Sequence, residues 1–203
     1  MKVLYFSPMG YFGSNMYIIY SGTEAAVIDP SMKYSSVRSV LEANKLTVKY
    51  IIVTHAHFDH ILEIDDWVEN TEGIVFIGRD DAPALKDPYL NCYRTFLGIE
   101  KNYDGPFAML SDGDRLTLGE DTINILSTPG HSAGSISLFT DGKLFVGDVV
   151  FPEGGYGRCD LPGGDLRILF SSISRLLKFN DDTVVYSGHG NESTLKEIKK
   201  YRR

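Results

Sequence analysis

The chain has 203 residues, a formal charge of −7, and 43% hydrophobic and 23% charged residues. That length suits one domain spanning 1–203 with room for a sizeable core. The acidic balance argues against a nucleic-acid partner or an anionic membrane surface, since neither attracts a cation-poor protein.

The first thirty residues predict a strand meander, with strands over Val3–Phe6, Met16–Tyr20 and Ala25–Ile28 and turns at Gly10, Gly13 and Ser21-Gly22. Asp29-Pro30 closes this block. Val37, Val40, Leu41 and Leu46 recur at near-helical spacing, which predicts an amphipathic helix over Ser35–Leu46. Tyr50–Val53 is a short β-branched run, read as a buried strand, and Ile61–Val68 reads as a helix behind it. Ile74–Ile77 is a further strand. In Arg79–Asp104, Asp87-Pro88 breaks any helix, and Tyr89, Tyr93, Phe96 and Leu97 form an aromatic stripe expected to face the core. An insertion covering a substrate is the alternative there.

Asp112-Gly113-Asp114 is a turn, followed by strands over Arg115–Leu118, Thr122–Leu126 and Ser135–Thr140. Asp141-Gly142 is a hairpin signal leading into a strand over Leu144–Val146. A glycine-rich loop from Gly154 to Gly164 carries Arg158 and Asp160, and a helix over Asp165–Leu177 takes Asp165 as its cap. Thr183–Tyr186 is a strand. Ser193–Arg203 reads as a terminal helix whose Lys199, Lys200, Arg202 and Arg203 suit the helix dipole. Strands precede helices in both halves, so two sheets packed face to face with helices outside would bury both sets.

Cys92 and Cys159 are too far apart for a disulfide framework or a CxxC site, which suits a reducing cytosol. MKVLYFSPMG is too short in apolar residues for a signal-peptide core. No apolar run approaches the roughly 18 residues that span a bilayer. A cytoplasmic protein is expected.

The chemistry concentrates in Ile51–His60, IIVTHAHFDH, where His55, His57, Asp59 and His60 follow a strand end. Packing rarely places four such polar groups together, because each needs a partner once buried. The chain has five histidines, and the other two, His131 in STPGH and His189 in SGHG, also follow strand-like runs. Asp148 follows a strand and a glycine in the same way, although alone it reads as a turn residue. Grouped imidazoles and carboxylates point to divalent metal rather than to a solvated loop.

Taken together, THAHFDH (54–60), TPGH (128–131), GD (147–148) and GH (188–189) resemble the metallo-β-lactamase superfamily, over a stretch from Asn15 to His189. GYGRCDLPGGD with the later SGHG resembles its short glyoxalase II-like hydrolases. The resemblance implies an α/β, four-layer αββα sandwich. It implies one metal on His55, His57 and His131, a second on Asp59, His60 and His189, and Asp148 bridging both. Asp59 and Asp148 are then the carboxylates of the catalytic centre. Two divalent ions, zinc first with iron or manganese accepted by the same donors, would acidify a shared water and polarise a carbonyl. The expected partner is a small-molecule acyl substrate, a thioester or ester.

Departures narrow the expectation. Full-length glyoxalase II enzymes bind glutathione with a helical C-terminal region, and fourteen residues follow His189 here. The β-lactamases usually carry cysteine where Asp148 stands, and the flavodiiron branch carries glutamate where His57 stands. A mononuclear iron persulfide dioxygenase is the alternative enzyme. Gly130-His131-Ser132-Ala133-Gly134 also matches the G-x-S-x-G nucleophile elbow, but that motif needs a helix next, and Ser135–Phe139 alternates like a strand. A purely structural metal site is the non-enzymatic alternative, though such sites are closed by four protein ligands.

Overall fold

Strand Thr47–Val53 shows why the chain folds in layers. Ile51 and Val53 pack toward Val37, Leu41 and Trp67, while Ile52 between them packs toward Ile125, Leu138 and Phe145. Side chains alternate along a strand, so a strand apolar on both sides must be covered on both. The computed structural model describes residues 1–7 and 13–201. The turn expected at Gly10 and the cations Arg202 and Arg203 lie outside the described residues.

The first sheet holds six strands in sequence order: β1 (Lys2–Phe6), β2 (Met16–Ser21), β3 (Glu24–Ile28), β4 (Thr47–Val53), β5 (Ile74–Gly78) and β6 (Ala108–Leu110). β1 to β3 form the antiparallel meander, and β3 to β6 run parallel. Parallel neighbours require crossovers. These pass through α1 (Tyr34–Ala43), α2 (Ile64–Asn70), and a segment with a 3-10 stretch at Arg79–Lys86 and the short α3 (Tyr93–Leu97).

The second sheet has the order β12-β11-β10-β9-β8-β7. Its strands are β7 (Arg115–Leu118), β8 (Asp121–Ser127), β9 (Ile136–Thr140), β10 (Lys143–Gly147), β11 (Val184–Ser187) and β12 (Ser193–Thr194). Only β10 and β11 are parallel neighbours there, and α4 (Leu166–Leu176) lies between them in sequence, with α5 (Leu195–Lys200) after β12. Leu144, Val146 and Val185 bury their outer faces against Leu169, Ile173, Leu176, Leu195 and Ile198. The result is the expected αββα sandwich: a core between the sheets and one under each helical layer.

Asp165 caps α4 as expected, its side chain accepting from Ile168 N at 2.9 Å, a contribution of about 1 kcal/mol. Three expectations need correction. Residues 61–63 form a bend and turn after the 3-10 turn Phe58–His60, so α2 begins at Ile64. The terminal helix begins at Leu195, because Ser193 and Thr194 first pair with β11. The aromatic stripe of residues 89–97 divides: Tyr93 is 1% exposed, but Tyr89 and Phe96 are 54% and 41% exposed, α3 being too short to bury one whole face. Among the described residues, no helix is long and apolar enough to cross a membrane.

Candidate metal centre

Four loops at strand ends converge on one place. Residues 54–60 follow β4, His131 sits between β8 and β9, Asp148 follows β10, and His189 follows β11. Two glycines make the approach possible. A Cβ on Gly188 would collide with the Asp148 carboxylate, and Gly147, at φ +50°, would collide with Thr54 Oγ1.

All seven residues expected from the sequence come together, in overlapping groups. His131 Nε2 lies 2.9 Å from His57 Nδ1 and 3.0 Å from His55 Nε2. Those separations are near the roughly 3.4 Å edge of a tetrahedron with ~2.1 Å metal–nitrogen arms. On the other side, His189 Nε2 lies 3.2 Å from Asp59 Oδ2, and His60 Nε2 lies 3.7 Å from it. Asp148 stands between the groups, Oδ1 3.4 Å from His60 Nε2 and Oδ2 3.7 Å from His131 Nε2 and 3.5 Å from His189 Nε2. His60 Nε2 and Asp148 Oδ1 are buried without a hydrogen-bond partner. Buried polar atoms left bare cost stability unless something satisfies them, and a divalent cation fits this set.

Neighbours set which ring nitrogen carries the proton. His131 Nδ1 donates to the Arg158 carbonyl at 2.6 Å, and His60 Nδ1 donates to Asp29 Oδ2 at 2.8 Å. Thr54 Oγ1 donates to Asp29 Oδ2 at 2.8 Å and so accepts from His55 Nδ1 at 3.2 Å. With Nδ1 committed, each of these three rings turns its Nε2 inward, the usual orientation of a metal-ligating imidazole.

The charges divide along the same line. Burial, helped by neighbouring imidazoles, holds His55 well below the ordinary histidine value and brings His57 down to about 3. Burial opposes charge on His60 and His189 as well, but carboxylates override it. Asp29, Asp59 and Asp148 hold His60 well above the ordinary value, and Asp148 and Asp59 raise His189 to about 9. The same contacts keep Asp59 and Asp148 below the usual carboxylate range against their own burial. A cation held here would take the place of protons on His60 and His189 and would meet His55 and His57 as neutral donors.

The supporting residues lie outside the ligand motifs. Asp29 also accepts from Thr54 N at 2.7 Å, tying β3 to the first ligand loop. Its place directly after a buried strand, like that of Asp148, was the available signal, masked by the turn reading of Asp-Pro. Asp81 is 3% exposed and accepts from Ala56 N at 3.0 Å, Ser132 Oγ at 2.8 Å and Gly134 N at 2.6 Å. It thereby joins the loop of His55 and His57 to the loop of His131, across the two sheets. Ser14 and Asn15 do the same for the other group. Ser14 Oγ donates to Asp59 O at 3.2 Å, and Asn15 donates to Gly188 O at 2.7 Å and Gly190 O at 2.8 Å. Nothing local in the sequence distinguishes Asp81 or Ser14 from surface residues. The nucleophile-elbow reading of Ser132 fails: the residue is 4% exposed, its hydroxyl is bonded to Asp81, and strand β9 rather than a helix follows.

A two-sheet sandwich with a His/Asp centre at its strand ends defines a class of metal-dependent proteins. The chain belongs to the metallo-beta-lactamase superfamily, whose family model matches residues 9–189. It is 36% identical over 192 residues to the probable metallo-hydrolase YqgX of Bacillus subtilis, covering 93% of this chain and 90% of that one. The hydroxyacylglutathione hydrolase of Vibrio cholerae is 32% identical over 168 residues, covering 82% of this chain and 57% of that one. Among solved structures, the BLEG-1 B3 metallo-beta-lactamase superposes with a TM-score of 0.90 at 33% identity, covering 98% and 97% of the two chains. TTHA1623, solved in a di-iron-bound form, superposes with a TM-score of 0.83 at 31% identity, covering 95% and 94%. The protein is a metal-dependent hydrolase of this superfamily.

Proposed function

We propose that this hydrolase cleaves small thioesters or esters at a dinuclear centre. His55, His57 and His131 would hold one ion, Asp59, His60 and His189 the other, with Asp148 reaching both. The observation that carries this reading is the convergence of seven donors in three overlapping groups, His55 with His57 and His131, Asp59 with His60 and His189, and His55 with His60 and Asp148, with Asp148 within 3.7 Å of His60, His131 and His189. A mononuclear iron held by His57, His131 and Asp148, the alternative, would leave His55, Asp59, His60 and His189 outside its ligands. Kinship with a hydroxyacylglutathione hydrolase supports a thioester as the bond cleaved.

Divalent ions bound there supply a water acidified to near neutral pH and Lewis-acid polarisation of the carbonyl. The protein's contribution is placement. Asp29, through Thr54 and His60, and the Arg158 carbonyl, through His131, lock the rings so that little reorganisation is needed when charge develops. Asp59 and Asp148, both ionised, offset the cationic charge. A thiolate leaves without protonation, so cleavage of a thioester requires no separate general acid. The donor set suits zinc first, while iron and manganese accept the same donors, and the di-iron form of TTHA1623 supports iron as a candidate.

The test is a panel of lactoyl and acetyl thioesters, simple esters and a chromogenic β-lactam on protein reconstituted separately with zinc, iron and manganese. The β-lactam is included because of the likeness to BLEG-1. Thioester turnover abolished by a chelator supports the reading. Turnover of the β-lactam alone, or oxygen consumption with a persulfide and no hydrolysis, replaces it.

A further inference from the structure

A cavity of about 480 Å³ opens onto the metal-ligand candidates, and the rest of its wall includes Phe58, Phe96, Phe151, Leu161 and Arg158. Phe96, from α3, stacks on Phe58 with ring centroids 5.4 Å apart and planes 28° apart. Phe151 meets the His189 ring edge-on at 6.0 Å. Apart from the imidazoles, Arg158 is the one cationic side chain among the described lining residues. Its guanidinium lies 5.6 Å over the Phe96 ring. Its Nε and Nη2 each donate to the Asp160 carboxylate at 2.7 Å, so two of its donors are already engaged.

We infer that the substrate group seated beside the scissile carbonyl is apolar, an aliphatic or aryl substituent rather than a multiply charged peptide thiol. This rests on the hydrolase reading of the same centre. Two considerations lead to it. Phe96 lines the cavity and is 41% exposed, and aromatic surface left to water gains most from being covered by an apolar partner. A peptide thiol would bring carboxylates and an ammonium against phenyl rings, where each loses water and the only guanidinium is already shared with Asp160. Arg158 also offers its backbone carbonyl to His131, so the loop that walls the cavity is the loop that orients a ligand imidazole. The apolar group can belong to the acyl half or to the thiol half, and both place it on the same wall.

The experiment uses metal-loaded protein and two substrate series. One varies the acyl chain from acetyl to octanoyl on a constant small thiol, N-acetylcysteamine. The other keeps the acetyl group and varies the thiol from methyl to hexyl and benzyl, with glutathione added. Calorimetric binding of straight-chain carboxylates and alkanethiols of the same lengths is measured in parallel. The expected result is a rise in kcat/KM of about two- to fourfold per methylene in one series, matched by a rise in affinity. Phe96→Ala should cause a loss that grows with chain length. Flat responses in both series, or a glutathione thioester favoured by more than about tenfold over the hexyl thioester, would overturn the inference. Length-dependent binding without turnover of any thioester would uphold the apolar wall and remove the hydrolase reading instead.

Discussion

Asp29 accepts from His60 Nδ1 at 2.8 Å, and the two side chains are 2% and 0% exposed. One carboxylate at the end of β3 thus fixes a ring on the turn after β4, and through Thr54 it fixes His55 as well. Asp29→Asn would keep the volume but place a donor where acceptors are needed. Outer partners of ligand histidines typically contribute 10- to 100-fold to metal affinity. The expected outcome is a loss of that order, read by competition with a chromogenic chelator.

If the centre is dinuclear as proposed, Asp81 and Asn15 brace different ligand sets, so their variants should separate the two sites. Asp81→Ala releases Ala56 N, Ser132 and Gly134 N and should weaken the His55, His57 and His131 set first. Asn15→Ala releases the Ser187 and Gly190 carbonyls and should weaken the Asp59, His60 and His189 set first. Elemental analysis after limited chelation should find near two equivalents in the parent and near one in each variant. Cobalt substitution should give different visible spectra for the two variants. Identical spectra, or loss of both ions together, would sink the independent-clamp account.

Asp148→Ala should abolish turnover while leaving the fold, since it removes the one carboxylate that faces both sets. Ser132→Ala should leave turnover within a fewfold and cost about 1 kcal/mol through its lost bond to Asp81. Circular dichroism and urea melts separate stability from activity in both. A dead Ser132→Ala enzyme that resists chelators would revive the serine-hydrolase reading.

The Asp112–Arg175 pair links the loop before β7 to α4, with Nη1 to Oδ1 at 2.6 Å and Nη2 to Oδ2 at 3.1 Å. The bond to Arg175 holds Asp112 below the ordinary carboxylate value. A carboxylate whose folded pKa is depressed adds stability above its unfolded pKa, near 3.9, and loses it as pH falls through the lower folded value. Both side chains are well exposed, at 39% and 50%, so the contribution should stay below about 1 kcal/mol. Asp112→Asn should lower the urea midpoint slightly at pH 6, and the difference should close toward pH 3.

The amino-acid sequence alone determined the candidate ligands and the layers. HAHFDH, PGH, GD and GH stand after strand-like runs, and the alternation in Met16–Ile19 and Ile51–Val53 sends neighbouring residues to opposite cores. These are local signals, readable because a strand's period and a ligand's chemistry do not depend on what lies across the sheet. β6 and β12, with three and two residues, carry no local signal because strands so short exist only by pairing with a neighbour. Tyr93 and Phe96 share one aromatic stripe, yet only the packing of the residue 79–104 segment decided that one enters the core and the other faces the cavity. Asp29, Asp81 and Asn15 lie 31, 51 and 172 residues from their partners His60, Ser132 and Ser187. A buried carboxylate or amide is recognisable only by the groups it satisfies, and the fold brings those groups to it.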